Sequence, residues 1–196
     1  MVASVAVSCR GKLGSEDLGS MDSVPFQTVD DMFAVRTKNG FVDMRMEAPL
    51  MQRFETDTNS FESFPKGFAV YGYTQDGLLE TVIVSDDARH ITSKKGKKEE
   101  SWQAFGNVVI HNVLKIETME TDTIYWDQSK QEIYTDCYVK MYSPDGFMQG
   151  YGMRSDDHAR NAILHRPFNT YGVVEQDSTK VAIDSVNFIG PFLLKN

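Results

Sequence analysis

The sequence predicts an all-β protein: one domain of stacked hairpin repeats forming an open antiparallel β-jelly roll, a twisted sheet folded on itself like a taco. Three observations carry that prediction. Apolar and polar residues alternate over long stretches, most clearly in ETMETDTIYWDQSKQEIYTDCYVKMYS from Glu117 to Ser143, where the alternation breaks at DQSK and resumes. Clusters of turn-forming residues separate the alternating segments, and related segments recur at a nearly constant spacing.

Taken in order, four strand-like segments resemble one another: GFVDMRMEA, GLLETVIVSD, VLKIETMETD and GFMQGYGMRSD, ending near Ala48, Ser85, Thr121 and Ser155. Those ends lie 37, 36 and 34 residues apart, the mark of a repeat architecture. Return strands lie between them: FPKGFAVYGY, SWQAFGNVVIHN and EIYTDCYVKMYS. The gaps hold TDTNS, TQDG, SKKGKK, DQSK and SPDG, all rich in residues that favour turns. Aromatic and β-branched residues fill the segments and helical spacing is nowhere sustained, so about 12 to 15 strands are expected.

Because side chains on a strand alternate faces, equal offsets imply a shared face. One apolar column is Met46, Ile83, Met119 and Met153; a second is Val70, Ile110 and Met141, with Phe68, Val108 and Val139 two residues earlier and Ile124 from the strand Thr121–Asp127. Taken singly, each of these residues is as well explained by a dry core as by a ligand surface. Collectively, a column rich in flexible methionines suits a wall that adapts to varied apolar ligands.

Bulk properties narrow the classes of function. The chain has 196 residues, 41% of them hydrophobic and 24% charged, enough for one sizeable folded core. A net charge of −8 and the lack of a basic stripe with interleaved aromatics argue against nucleic acid as a partner. No apolar run is long enough for a transmembrane helix. MVASVAVSC, at the N-terminus, resembles the end of a bacterial lipoprotein signal, making Cys9 the candidate lipid anchor, although Ala6 stands where such signals usually carry Leu. No basic segment precedes it, so the true start is expected upstream of Met1. Residues 1–23 are read as signal remnant and flexible linker, and 24–196 as the β-roll domain.

From Phe105 to Asp157 the sequence resembles the LptC family and its OstA-like relatives. The cues are the GNV of Gly106–Val108, the TDTIYWD of Thr121–Asp127, the IYTD of Ile133–Asp136 and the GYGMRS of Gly150–Ser155; a looser likeness reaches back to Val24 and on to Leu164. The resemblance implies a non-enzymatic periplasmic protein, anchored at the inner membrane of a Gram-negative envelope. Such a protein accepts lipopolysaccharide from an inner-membrane ABC transporter and passes it to an LptA-like bridge protein by β-strand addition. It also implies that the columns line a lipid groove. Burying hydrocarbon is worth about 0.8 kcal/mol per methylene, so one 14-carbon chain contributes on the order of 10 kcal/mol gross. Forward movement then needs external work; since this chain has no Walker-type phosphate loop, the ATPase belongs to a partner. The rival reading is a surface or periplasmic lipoprotein that binds glycan or protein through a closed sheet.

Other constellations carry less. The pairs Asp30/Asp31, Asp86/Asp87 and Asp156/Asp157 suggest turn and edge roles rather than a glycosidase pair. His90, His111, His158 and His165 have no metal-binding spacing, so neither metal nor cofactor is expected. Cys137, in a strand pattern, reads as buried and inert. Gly150 and Gly152 suggest a bulge or a close backbone approach. The lysines of Lys94–Lys98 form a solvated tip or a contact for anionic head groups. Residues 176–196 match no recognised pattern.

Overall fold

The computed structural model describes residues 24–55, 59–93 and 100–172. Among them are eleven strands: β1 (Gln27–Lys38), β2 (Phe41–Glu55), β3 (Asn59–Phe64), β4 (Phe68–Tyr73), β5 (Leu79–Ser85), β6 (Asp87–Ser93), β7 (Glu100–Asn112), β8 (Glu117–Asp127), β9 (Glu132–Ser143), β10 (Gly146–Asp156) and β11 (Ile163–Gly172). They form one antiparallel sheet, the expected jelly roll. The described strands fall one short of the lower bound read from the sequence, and the C-terminal segment lies outside the described residues.

From β11 back to β7 each strand pairs with its sequence neighbour; between β7 and β2 the sheet forks. One branch runs through β5 and β4 to the first half of β2, the other through β6 and β3 to its second half. The two branches are the beginnings of two facing walls. Long strands cross from one wall to the other at irregularities: β7 and β8 lose register between Phe105 and Val108, β8 and β9 between Thr121 and Tyr125, and β9 and β10 between Tyr151 and Met153. At the first of these, Gly106 and Asn107 both take positive φ, the bulge geometry that re-aims a strand. Asn107 Nδ2 donates to Asp86 Oδ2 at 2.7 Å, and the Asp86 amide donates to the Gly106 carbonyl at 2.9 Å, which ties the β5–β6 bend to the spine of the fold.

The first wall therefore holds β4, β5 and one half each of β2, β7, β8, β9 and β10. Across it runs one unbroken row of paired residues: Met46, Val70, Ile83, Ile110, Met119, Met141 and Met148. The two columns read from the sequence are thus a single row, with one correction. Met148, not Met153, is the member on β10. Met153 lies five positions further on, an odd step that would face outward in a regular strand. The bulge at Gly152, with φ of +82°, restores it to the interior, where it pairs with Thr135 on the second wall.

The core lies between the walls. Phe64 of the second wall meets Phe68 of the first at 4.5 Å between ring centroids, and Phe68 meets Trp102 of the second at 5.4 Å. The acidic pairs take the places expected of them at turns and edges. Asp31 lies on the outermost strand β1 with a φ of +51°, Asp86 caps the spine, and Asp156 accepts the amides of His158 and Arg160 in the turn after β10. Cys137 is buried, as its strand pattern predicts. Among the described residues, both outermost strands, β1 and β11, pair along one side only.

Candidate functional site

A slot runs between β2, β4 and β5 of the first wall and β7, β8 and β9 of the second. It contains about 740 Å³ free of protein atoms, part of that open to solvent, and is narrow as it stands. Its floor is Met46, Val70 and Ile83, with Met44 beside Met46 on β2, and its opposite face is Trp102, Ala104, Ile124, Trp126 and Ile133. These arise from simple alternation: 44 and 46, 102 and 104, and 124 and 126 are each two apart and share a face. The lining is overwhelmingly apolar, with Arg36 and Asp43 at one lip and Asp157 and His158 at the other.

All eleven residues singled out by the sequence belong to one apolar cluster, but they divide in two. Met46, Phe68, Val70, Ile83 and Ile124 border the slot. Val108, Ile110, Met119, Val139, Met141 and Met153 do not; they are at most 6% exposed and packed into the interior. Sequence reading missed Trp102 and Trp126, which stand opposite one another on β7 and β8 with centroids 6.2 Å apart. Their signal was there in alternation with Ala104 and Ile124, but the repeat alignment followed only the first wall. Cys9 and Lys94–Lys98 lie outside the described residues.

The second wall ends in a polar rim. Arg53, Glu62, His90 and Trp102 are successive cross-strand partners. His90 Nδ1 donates to Glu62 Oε2 at 3.1 Å, Arg53 Nη2 donates to Glu62 Oε1 at 2.6 Å, and the His90 ring stacks on Trp102 at 4.2 Å. The hydrogen bond from His90, reinforced by Arg53, holds the Glu62 carboxyl below its usual range against the opposing effect of burial.

The connection from β10 to β11, residues 157–162, crosses from the second wall to the first. Thr81 Oγ1 donates to the His158 carbonyl at 2.7 Å, and Asn112 Nδ2 donates to the Ala159 carbonyl at 3.3 Å. Arg160 forms a two-pronged pair with Glu80, Nε and Nη2 each 2.7 Å from a carboxylate oxygen, and the Lys115 ammonium donates to the Arg160 carbonyl. Ala159 is fully buried at a φ of +54°, a conformation an alanine keeps only where its surroundings impose it. This strap closes one end of the slot.

Among the described residues no group of three or more His, Cys, Asp or Glu is placed to hold a metal ion. No helix there is long and apolar enough to cross a membrane. The arrangement offers no paired nucleophile and base; its chemistry is apolar enclosure with a polar margin. Residues 14–171 match the model of a family described as lipopolysaccharide-assembly, LptC-related. No curated protein matches the chain.

Proposed function

The chain belongs to the LptC-related lipopolysaccharide-assembly family, and on that premise we propose that the slot is where it holds the acyl chains of lipopolysaccharide in transit. The family works in lipopolysaccharide transport without catalysis, in the periplasm and at the inner membrane of Gram-negative cells. The observation that carries the finer reading is the row Met46, Val70 and Ile83: apolar, only partly buried, and facing Trp102 and Trp126 across unfilled space. An apolar chain entering there gains the burial that these side chains lack in the empty protein.

In this reading an inner-membrane ABC transporter supplies the lipid and the ATP-driven work. The sides of β1 and β11 that are unpaired among the described residues are the proposed docking edges for neighbouring β-rolls, the transporter's on one side and an LptA-like bridge protein's on the other. Cys9 is the proposed lipid anchor. With two cysteines in the chain, acylation of Cys9 and a bond from it to Cys137 exclude each other in one molecule. Intact mass of membrane-extracted protein separates them: added acyl mass supports the anchor, and the loss of two hydrogen atoms alone, the mark of oxidation to a disulfide, refutes it.

The slot is tested by photo-crosslinking in cells. A benzoylphenylalanine at Val70 or Ile83 is expected to capture lipopolysaccharide, while one at Met119, inside the packed interior, captures far less. Absence of lipid at all three positions would overturn the carrier reading and favour a closed module that binds glycan or protein.

A further inference from the structure

We infer that the strap between β10 and β11 sets how long an acyl chain the protein can take. The inference rests on the slot being the lipid site and adds the element that limits its cargo. The apolar row of the first wall crosses seven strands, from Met46 to Met148. At about 4.8 Å per strand that is a trough of about 29 Å, yet only the part from Met46 to Ile83, about 10 Å, borders the slot.

The change falls between β5 and β7, and the strap lands there. It is gripped at Glu80 and Thr81 on β5 and at Asn112, the last residue of β7. Its Asp157 and His158 form the end of the slot, and its Ala159 occupies the interior beyond. On the far side of that stop the same row continues as Ile110, Met119 and Met141, all buried and none bordering the slot.

Ala159 seats the strap in the interior, and polar contacts from β5 and β7, among them the two-pronged Arg160–Glu80 pair, fix it in place, so weakening those contacts frees the strap to shift. Asp156 keeps the strap pre-shaped, its Oδ1 accepting the amides of His158 and Arg160 and its Oδ2 accepting the Asn161 side-chain amide. A chain that reaches the strap meets a stop. A chain that displaces it finds more of the same apolar row.

The test measures affinity of the whole protein for a graded series of N-acylglucosamines of increasing chain length. In the wild type each added methylene should raise affinity about fourfold until the open part is filled, after which affinity levels off. Arg160→Ala and, independently, Thr81→Val should move that levelling point to longer chains. Thr81→Val removes the hydrogen bond to the His158 carbonyl at nearly constant side-chain volume, which guards against an Arg160→Ala protein that folds poorly. A levelling point absent from the wild type, or present and identical in wild type and both variants, overturns the role of the strap while leaving the slot in place. No dependence on chain length in any of the three overturns the slot reading, and this inference with it.

Discussion

Met46, Val70 and Ile83 lie in one cross-strand row with Ile110, Met119 and Met141, on the same wall and with the same kinds of side chain. The first three are partly exposed along a slot; of the last three, Ile110 and Met119 are at most 1% exposed. Alternation brings both halves inward, so it cannot account for the difference. What stands opposite does: Met153, Leu164 and the strap residues Ala159 and Ala162 join the cluster at the closed end, whereas the open end faces Trp102 and Trp126 across a gap. An apolar strand face is thus sealed or left open by what lies across from it, here the six-residue strap together with Met153 and Leu164.

The sharpest way to break that comparison is to truncate the row at both ends. Ile110→Ala should cost about 3 kcal/mol, because a sealed site loses both transfer energy and packing. Val70→Ala, where one side already faces free space, should cost about 1 kcal/mol. Urea denaturation at constant m-value measures both. Equal costs would mean that the slot is filled and the two halves do not differ.

Gly150 tests the closed end from its outer edge. A Cβ built there would lie 2.5 Å from the Arg166 carbonyl oxygen, so Gly150→Ala must push β11 away from β10. Overpacking of this kind costs about 2 kcal/mol. Amide exchange should accelerate in β11 around Arg166 and stay slow in β8; acceleration in both would show that the closed half unfolds as one unit rather than strand by strand.

How much of this was legible in the sequence follows from periodicity. The strands Glu132–Ser143 and Gly146–Asp156 match the segments read from alternation, because two-residue periodicity persists to their ends. β3 and β6 were not: each is short, flanks a turn cluster and covers only one wall, so neither shows a long alternation of its own. The shared face of Met46, Val70, Ile83 and Met119 was recoverable because no irregularity separates them along the pairing. Met153 was misassigned because a bulge adds a residue that no composition rule marks, even though Gly152 hinted at one. The strap had no signal at all. Its grip depends on Glu80, 80 positions from Arg160 in sequence, and on Asn112, 47 from Ala159.

The strap's contribution carries a pH signature. Arg160, through its hydrogen bonds, holds the Glu80 carboxyl below its ordinary value of 4.5, against burial. A carboxyl depressed in the folded state adds stability that is fully present above that ordinary value and is lost as pH falls through the lower folded one. Glu80→Gln should therefore cost about 1.5 kcal/mol at neutral pH, and the gap from wild type should close in acid. A gap that does not change with pH would assign the strap's hold to the hydrogen bonds from Thr81 and Asn112 instead.

The smallest effect is expected at the hairpin tip between β8 and β9, which touches neither half of the row. Asp127 accepts from Ser129 Oγ at 2.6 Å, from the Lys130 amide at 3.1 Å and from Lys130 Nζ at 2.7 Å, and its pKa is lowered from 3.8 to about 2, with the Lys130 hydrogen bond the largest cause. NMR titration of its carboxyl carbon should find that value, with the associated stability present above 3.8 and lost as pH falls through about 2. Exposed pairs of this kind add little, so Asp127→Asn should abolish the depressed titration and leave the denaturation midpoint unchanged within error. A clear loss of stability would mean that the β8–β9 turn is coupled to the closed half, and that the boundary drawn at the strap extends to the tips of the hairpins.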